Sequence, residues 1–185
     1  MRTKKKIPAR FGRETRFEVK PAVATFRVTQ ETELERQIDS LDHLRPGREP
    51  FPIEAQDLTG NKFSLAALKG KVVVLDFWAT HCIPCMDEMP NLVKLNREFK
   101  DKGLEIVGIN LDPNKDKLLQ AINKAGITWT TIPDGLEQKF PIGQQFRIET
   151  IPSIFVINRK GVISAVDLRG EELHKAVAKL IEEKP

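Results

Sequence analysis

The sequence is organised around Phe77-Trp78-Ala79-Thr80-His81-Cys82-Ile83-Pro84-Cys85. An apolar run at residues 72–75 precedes this stretch and predicts a buried strand, and residues 86–100 follow it with a helical pattern. The chain therefore leaves a strand, turns, and places Cys82 where a helix begins. A helix N-terminus carries unpaired N–H groups and roughly half a positive charge, so it lowers the pKa of a thiol there below about 8.5.

The spacing of the two cysteines predicts redox chemistry. Cys85 lies three residues after Cys82, one turn further along the same helix face and within bridging distance. Cys82 is then the exposed nucleophile and Cys85 is the resolving thiol. A purely structural disulfide is disfavoured, because a disulfide that closes so short a loop adds little to the stability of the fold. A structural zinc site needs two further ligands, and the chain offers only His43, His81 and His174.

Charge is distributed unevenly along the 185 residues. Residues 1–20 carry eight Lys or Arg and two Glu, a net charge of +6 against +4 for the whole chain. The excess positive charge therefore belongs to the N-terminal arm. We expect this arm to be a solvated tail, with binding to nucleic acid or anionic lipid as the alternative. No apolar run approaches about 18 residues, so the sequence predicts no membrane span.

The pattern divides the chain in two. Residues 1–48 form an N-terminal extension, a basic arm followed by an amphipathic helix, and its function is unknown. Residues 49–185 alternate strands with helices, which predicts parallel βαβ units closed by an antiparallel hairpin. The predicted strands are 53–58, 72–78, 104–110, 128–132, 154–157 and 162–168, and the main helices are 83–100, 113–125 and 171–183. Asp112 is expected to cap the second helix, with Pro113 at its first position.

Several motifs in the same order resemble the thioredoxin superfamily. The segment DFWATHCIPC at residues 76–85, followed by Met89-Pro90, resembles its active-site region. The segments DLTGNKFSLAALKGK (57–71) and GINLD (108–112) look like the TlpA/ResA-like branch of thiol–disulfide oxidoreductases. The resemblance covers about residues 51–185 and implies a thioredoxin-like three-layer α/β/α sandwich with a mixed central sheet.

The resemblance also implies an activity, partners and a compartment. It implies a protein-disulfide oxidoreductase whose Cys82–Cys85 pair exchanges with disulfides or dithiols of partner proteins and of a redox-recycling protein. We expect a monomer without a bound metal. We also expect no bound cofactor, because no G-x-G-x-x-G or P-loop pattern occurs. The branch works mostly outside the cytoplasm, so we expect an extracytoplasmic protein whose export signal or anchor is missing from this chain. A cytoplasmic protein is the alternative, since residues 1–6 are basic but no apolar stretch follows.

Supporting residues are assigned by the same resemblance. Thr150-Ile151-Pro152-Ser153 matches the family's cis-proline loop, which implies that the Ile151 backbone lies beside Cys82. Asp76 interrupts an apolar strand, so burial should raise its pKa, and the family places an acid here as proton acceptor for Cys85. The competing interpretation is an Asp satisfied by backbone N–H groups at a strand end. Trp78, which adjoins the turn, is expected either to help shape the substrate surface or to belong to the core.

Two positions depart from the family pattern. His81 stands where this branch usually has Trp before the first cysteine, and Ile83 stands where Pro is common. A protonated His81 would stabilise the Cys82 thiolate and make the disulfide more oxidising. The alternative is a histidine turned to solvent without a tuning role.

Two other functions fit the sequence less well. Peroxidases with a thioredoxin fold resemble this chain, but they carry Thr and Pro at the positions of Ala79 and Leu75. A non-catalytic module that binds extended peptides, in the manner of a chaperone, would not need both cysteines. The sequence therefore favours a thiol–disulfide oxidoreductase.

Overall fold

A computed structural model describes residues 43–136 and 140–183 of the chain. In chain order these residues form β1 (Glu54–Gln56), β2 (Lys62–Ser64), β3 (Val72–Trp78), α1 (Ile83–Phe99), β4 (Leu104–Asn110), α2 (Lys115–Ala125), β5 (Thr130–Ile132), α3 (Pro141–Gln145), β6 (Ser153–Ile157), β7 (Ile163–Val166) and α4 (Gly170–Glu182). Short 3₁₀ helices span Leu65–Leu68 and Lys100–Lys102. The predicted basic arm and amphipathic helix lie outside the described residues.

A five-stranded mixed sheet forms the centre of the structure, in the order β5-β4-β3-β6-β7. β3, β4 and β5 run parallel, whereas β6 and β7 pair antiparallel with their neighbours. β1 and β2 form a separate antiparallel hairpin. The predicted α/β class with parallel units closed by a hairpin is confirmed.

The sheet is covered on both faces. Every residue of β3 is buried, and its side chains alternate between two core clusters because successive residues of a strand point to opposite faces. One cluster joins the sheet to α1, α2 and α4, and the other joins it to α3, the first 3₁₀ helix and the chain around Ile53. The parallel strands read as continuous apolar runs because neither of their faces meets water.

The ends of the helices follow local rules, with one correction. Cys82 caps α1, and Pro84 fits its first turn because that position needs no N–H donor. The prediction that Asp112 caps α2 is wrong. α2 begins at Lys115, and the side chain of Asn114 accepts the Lys117 N–H at 3.0 Å.

Residues just before the predicted domain boundary pair with the sheet. The Gly47 N–H donates to the Ile163 carbonyl at 2.8 Å, and the Ile163 N–H donates to the Arg48 carbonyl at 2.8 Å. Within residues 43–136 and 140–183, no helix is both long enough and apolar enough to cross a membrane.

Candidate active site

Cys82 and Cys85 form a disulfide at the N-terminus of α1, with an S–S distance of 2.06 Å and a Cα–Cα distance of 5.2 Å. The Sγ atom of Cys82 accepts a hydrogen bond from the Cys85 N–H at 3.2 Å. Cys82 is 8% exposed and Cys85 is 1% exposed, while the intervening Ile83 is 73% exposed. Cys82 is therefore the more exposed of the two cysteines, and Cys85 is shielded.

The loop before β6 brings a second segment to the disulfide. The Ile151–Pro152 peptide bond is cis, and the Ile151 carbonyl oxygen lies 3.5 Å from Cys82 Sγ. This proximity follows from the antiparallel pairing of β3 with β6, which sets Phe77 opposite Ser153. Pro152 is buried and has no N–H to donate to the sulfur. The structure thus brings Ile151 and Pro152 together with Cys82.

Asp76 is a buried carboxyl in the middle of the apolar strand β3. It is 1% exposed, and its Oδ2 has no hydrogen-bond partner within the described part of the chain. The pKa of Asp76 is raised to about 7, mainly by burial and also by the nearby Glu88 carboxylate, while the Arg169 guanidinium opposes the shift. Because successive side chains along β3 point to opposite faces of the sheet, Asp76 lies on the same face as Trp78, and α1 packs on that face.

Gly108 creates the space beside Asp76 and was not singled out from the sequence. It pairs with Asp76 on β3 and with Thr131 on β5. A Cβ at Gly108 would lie 2.9 Å from Trp78 Nε1 and 3.4 Å from Trp129 Nε1. Both indole nitrogens and the Thr131 hydroxyl are buried without a partner among the described residues. Gly108 therefore leaves room for the two indole rings on the strand next to Asp76.

Trp78 does not shape the substrate surface, so that expectation is wrong and its alternative as a core residue is right. Its side chain is fully buried. Strand alternation turns the indole beneath α1, where it belongs to the same cluster as Cys85 and Met89. Trp78 therefore supports the disulfide from below.

Asp112 holds the turn that precedes Cys82. Its Oδ2 accepts the Thr80 N–H at 2.7 Å and the Asn110 side-chain amide at 2.8 Å. Its Oδ1 accepts the Thr80 hydroxyl at 2.7 Å. His81 Nδ1 lies 3.4 Å from the same oxygen, with 73% of the His81 side chain exposed. The carboxylate is thus engaged away from α2, which explains why it does not cap that helix.

Glu88 and Arg169 join α1 and the cis-proline loop to the start of α4, and sequence reasoning missed both. Glu88 is buried; its Oε1 accepts the Gly170 N–H at 2.8 Å, and its Oε2 accepts the Asn91 side-chain amide at 3.1 Å. Arg169 Nη2 donates to the Pro152 carbonyl at 2.9 Å. A glutamate on the buried face of α1 is the sequence signal that could have identified this connection.

The described residues contain no group of three or more His, Cys, Asp or Glu placed to hold a metal ion. The chemistry that the geometry offers comes instead from its sulfur atoms. The shielded sulfur of Cys85 lies one turn below the more exposed sulfur of Cys82. The buried carboxyl of Asp76, whose pKa is raised, lies on the face of β3 that packs against their helix. The backbone carbonyl of Ile151 lies against the Cys82 sulfur. This arrangement suits reversible thiol–disulfide exchange.

The sequence matches a known protein family and is similar to individual proteins of known sequence. The family model described as AhpC/TSA matches residues 46–166. Thiol-disulfide oxidoreductase ResA of Halalkalibacterium halodurans is 29% identical over 126 residues, which are 68% of this chain and 70% of that protein. Thioredoxin-like protein YneN of Bacillus subtilis is 32% identical over 123 residues, which are 66% of this chain and 71% of that protein.

Solved structures are similar over most of the described residues. The thioredoxin domain of a thiol-disulfide oxidoreductase from Bacteroides vulgatus superposes with a TM-score of 0.69 and 33% identity, covering 75% of this chain and 99% of that one. A thiol:disulfide interchange protein from Bacteroides sp. gives a TM-score of 0.66 with 32% identity, covering 76% and 93%. The predicted thioredoxin-like fold and the resemblance to ResA-like proteins are confirmed.

Proposed function

Because this chain belongs to the AhpC/TSA family and is a thioredoxin-like thiol–disulfide oxidoreductase, we propose that Cys82 attacks disulfides of partner proteins and that Cys85 resolves the mixed disulfide. In the reducing direction, the Cys82 thiolate bonds to one partner sulfur and the other leaves as a thiolate. Cys85 then loses its proton and attacks Cys82 Sγ, which releases the second partner thiolate. Two electrons pass to the partner, and the Cys82–Cys85 disulfide forms.

One observation carries this division of roles: the accessible sulfur faces the Ile151 carbonyl, while the other sulfur is shielded. An extended partner segment can pair with the Ile151 backbone as an added strand and so present its own sulfur to Cys82. The exposed Ile83 gives that segment an apolar contact. Ile151 and Pro152 therefore act in substrate docking.

Asp76 acts as the proton acceptor for Cys85. Its pKa of about 7 lets it bind and release a proton in the range in which the resolving thiol must ionise. Asp76 is thus assigned to the resolving step and not to the first attack.

The reaction needs no resident cofactor, because electrons enter and leave through thiols. A second redox protein must return the Cys82–Cys85 pair to its starting state. The protein is proposed to be a monomer, and the resemblance to the TlpA/ResA-like branch supports a location outside the cytoplasm. Recovery of the native chain in a cytoplasmic fraction, with both cysteines reduced, would contradict that location.

The test is reduction of insulin disulfides, with dithiothreitol as electron donor. We expect Cys82→Ser to abolish the catalysed rate. Cys85→Ser should retain the first attack and accumulate a mixed disulfide that mass spectrometry detects. Retention of catalysis in Cys82→Ser would overturn the assignment. Peptide binding without any catalysed reduction by the parent would favour the binding module, and rapid consumption of peroxide without a thiol partner would favour a peroxidase.

A further inference from the structure

A groove of about 590 Å³ lies between α1 and the end of α2. Its apolar lining includes Met86, Met89 and Val93 on α1 and Ala125 on α2. We refer to it as the α1–α2 groove. Met86 directly follows the resolving cysteine in the chain, so the groove begins beside the disulfide and continues along the helix.

We propose that the α1–α2 groove binds an acidic segment of the partner protein, anchored by apolar side chains, while Cys82 reacts with a neighbouring cysteine of the same partner. The inference rests on the proposed function and names the class of partner that the site prefers. The α1–α2 groove is a surface separate from the Ile151 loop. That loop is proposed to pair with the partner's backbone at the reacting sulfur.

The apolar part of the groove suits a segment of variable sequence. Two of its residues, Met86 and Met89, have flexible, polarisable side chains that adapt to different partner groups. Pro90 also lines the groove and has no N–H, so the Met86 carbonyl lacks the donor that an α-helix normally supplies four residues later.

Three cations determine the charge of the occupant. Lys94, Arg97 and Lys124 line the α1–α2 groove, and no acidic residue lines it. Arg97 and Lys124 form no ion pair within residues 43–136 and 140–183, whereas the charge of Lys94 also acts on Glu98. Positive charge around an apolar floor favours a partner with acidic residues beside apolar ones.

The helix sets the spacing of the partner's features. Cys82 and Lys94 are separated by about 18 Å along the axis, at about 1.5 Å per residue. An extended segment covers this distance in roughly five or six residues. The partner's acidic residues should therefore begin about five residues from its reacting cysteine, with apolar residues between.

The test uses peptides whose single cysteine is joined by a disulfide to thionitrobenzoate. The pre-reduced enzyme attacks the peptide sulfur through Cys82 and releases the coloured thiolate, and Cys85 then frees the peptide thiol. Two peptides share an apolar spacer and differ only in a distal block of glutamates or lysines. Each peptide is made in two versions, with the charged block before or after the cysteine. The version that reacts faster is used for the comparison. We expect the second-order rate constant to be roughly tenfold higher for the glutamate peptide at low ionic strength, with the difference shrinking as salt screens the charges.

The matched variants reverse charge at the groove or elsewhere. The triple variant Lys94→Glu, Arg97→Glu, Lys124→Glu should lose the preference for glutamate or invert it. The control triple variant Lys62→Glu, Lys160→Glu, Lys179→Glu changes the net charge by the same amount at exposed positions outside the groove, and it should keep the preference. Both should react at the parent rate with a disulfide of thionitrobenzoate that carries no peptide.

The outcomes separate this inference from the proposed function. Equal rates for the two peptides with the parent enzyme, or equal losses in both triple variants, overturn the groove assignment. If the parent enzyme is a dimer without peptide preference, and the groove variant is a monomer, then the groove binds a second copy of the chain. That result also overturns the groove assignment. Failure of the proposed function looks different, because the parent would then release no more colour from either peptide than Cys82→Ser does.

Discussion

Asp112 reaches across from the loop after β4 to Thr80, accepting its N–H and its hydroxyl at 2.7 Å each. The two residues are 32 positions apart in sequence. Their contact anchors the turn between β3 and α1, and that turn delivers Cys82 to the helix N-terminus. The position of the reactive sulfur therefore depends on a carboxylate that belongs to neither adjacent element.

We expect Asp112→Ala to lower both stability and activity. The change leaves the Thr80 N–H and the Asn110 amide without their acceptor, which costs roughly 2–3 kcal/mol in the free energy of unfolding. Urea denaturation measures that loss, and insulin reduction measures the accompanying loss of activity. Asp116→Ala is the matched control, because Asp116 is exposed in the first turn of α2. Equal stability of the two variants would contradict the anchoring role.

The exposed His81 is predicted to assist the Cys82 thiolate. His81→Ala should raise the pKa of the Cys82 thiol in the reduced protein, because a protonated imidazole on the residue before Cys82 would stabilise the thiolate. The ultraviolet absorbance of the thiolate, followed against pH, measures this shift. His174→Ala is the control, since His174 pairs with Glu98 at 2.8 Å at the other end of α1. An unchanged thiolate titration in His81→Ala would refute the tuning role.

Asp76→Asn is predicted to slow the resolving step and spare the first attack. The amide cannot accept the Cys85 proton, so the mixed disulfide should persist at least tenfold longer at neutral pH. In the parent, the resolving rate should rise with pH through about 7, where Asp76 ionises, and the variant should lose that rise. Rapid-mixing kinetics with a chromogenic disulfide separate the two steps. Identical rates for both steps in the two proteins would refute the assignment.

The same substitution is predicted to change the pH dependence of stability. Burial raises the pKa of Asp76 from 3.8 to about 7 in the folded protein. Between these values the folded protein holds a proton that the unfolded chain releases, so stability falls as pH rises. Asp76→Asn should therefore be more stable than the parent at about pH 8, by up to about 4 kcal/mol. The difference should vanish near pH 4. Urea midpoints measured across this range provide the test, and a constant difference would contradict it.

Most of the fold could be predicted from the sequence because its signals are local. The apolar runs at Val72–Trp78 and Leu104–Asn110 and the helix Ile83–Phe99 appear within a residue of their predicted bounds. The strands predicted at 53–58, 128–132 and 162–168 are shorter, spanning Glu54–Gln56, Thr130–Ile132 and Ile163–Val166. The start of α2 also differs, because a local rule competed there with a distant contact. By local pattern, Asp112 followed by Pro113 is a good helix start. The carboxylate instead accepts hydrogen bonds from Thr80, which stabilise the fold more than capping a helix in solvent would.

The site could be predicted only where it lies along a continuous stretch of chain. The sequence alone predicted the Cys82–Cys85 pair and its place at a helix N-terminus, because three-residue spacing and helix periodicity are properties of neighbouring residues. The folded chain was needed to bring Gly108 beside Asp76 and Thr131 beside Gly108. It was also needed to join Glu88 to the start of α4 and Arg169 to the cis-proline loop. These partners lie on different strands and helices, so strand register and helix packing, which no local pattern encodes, select them.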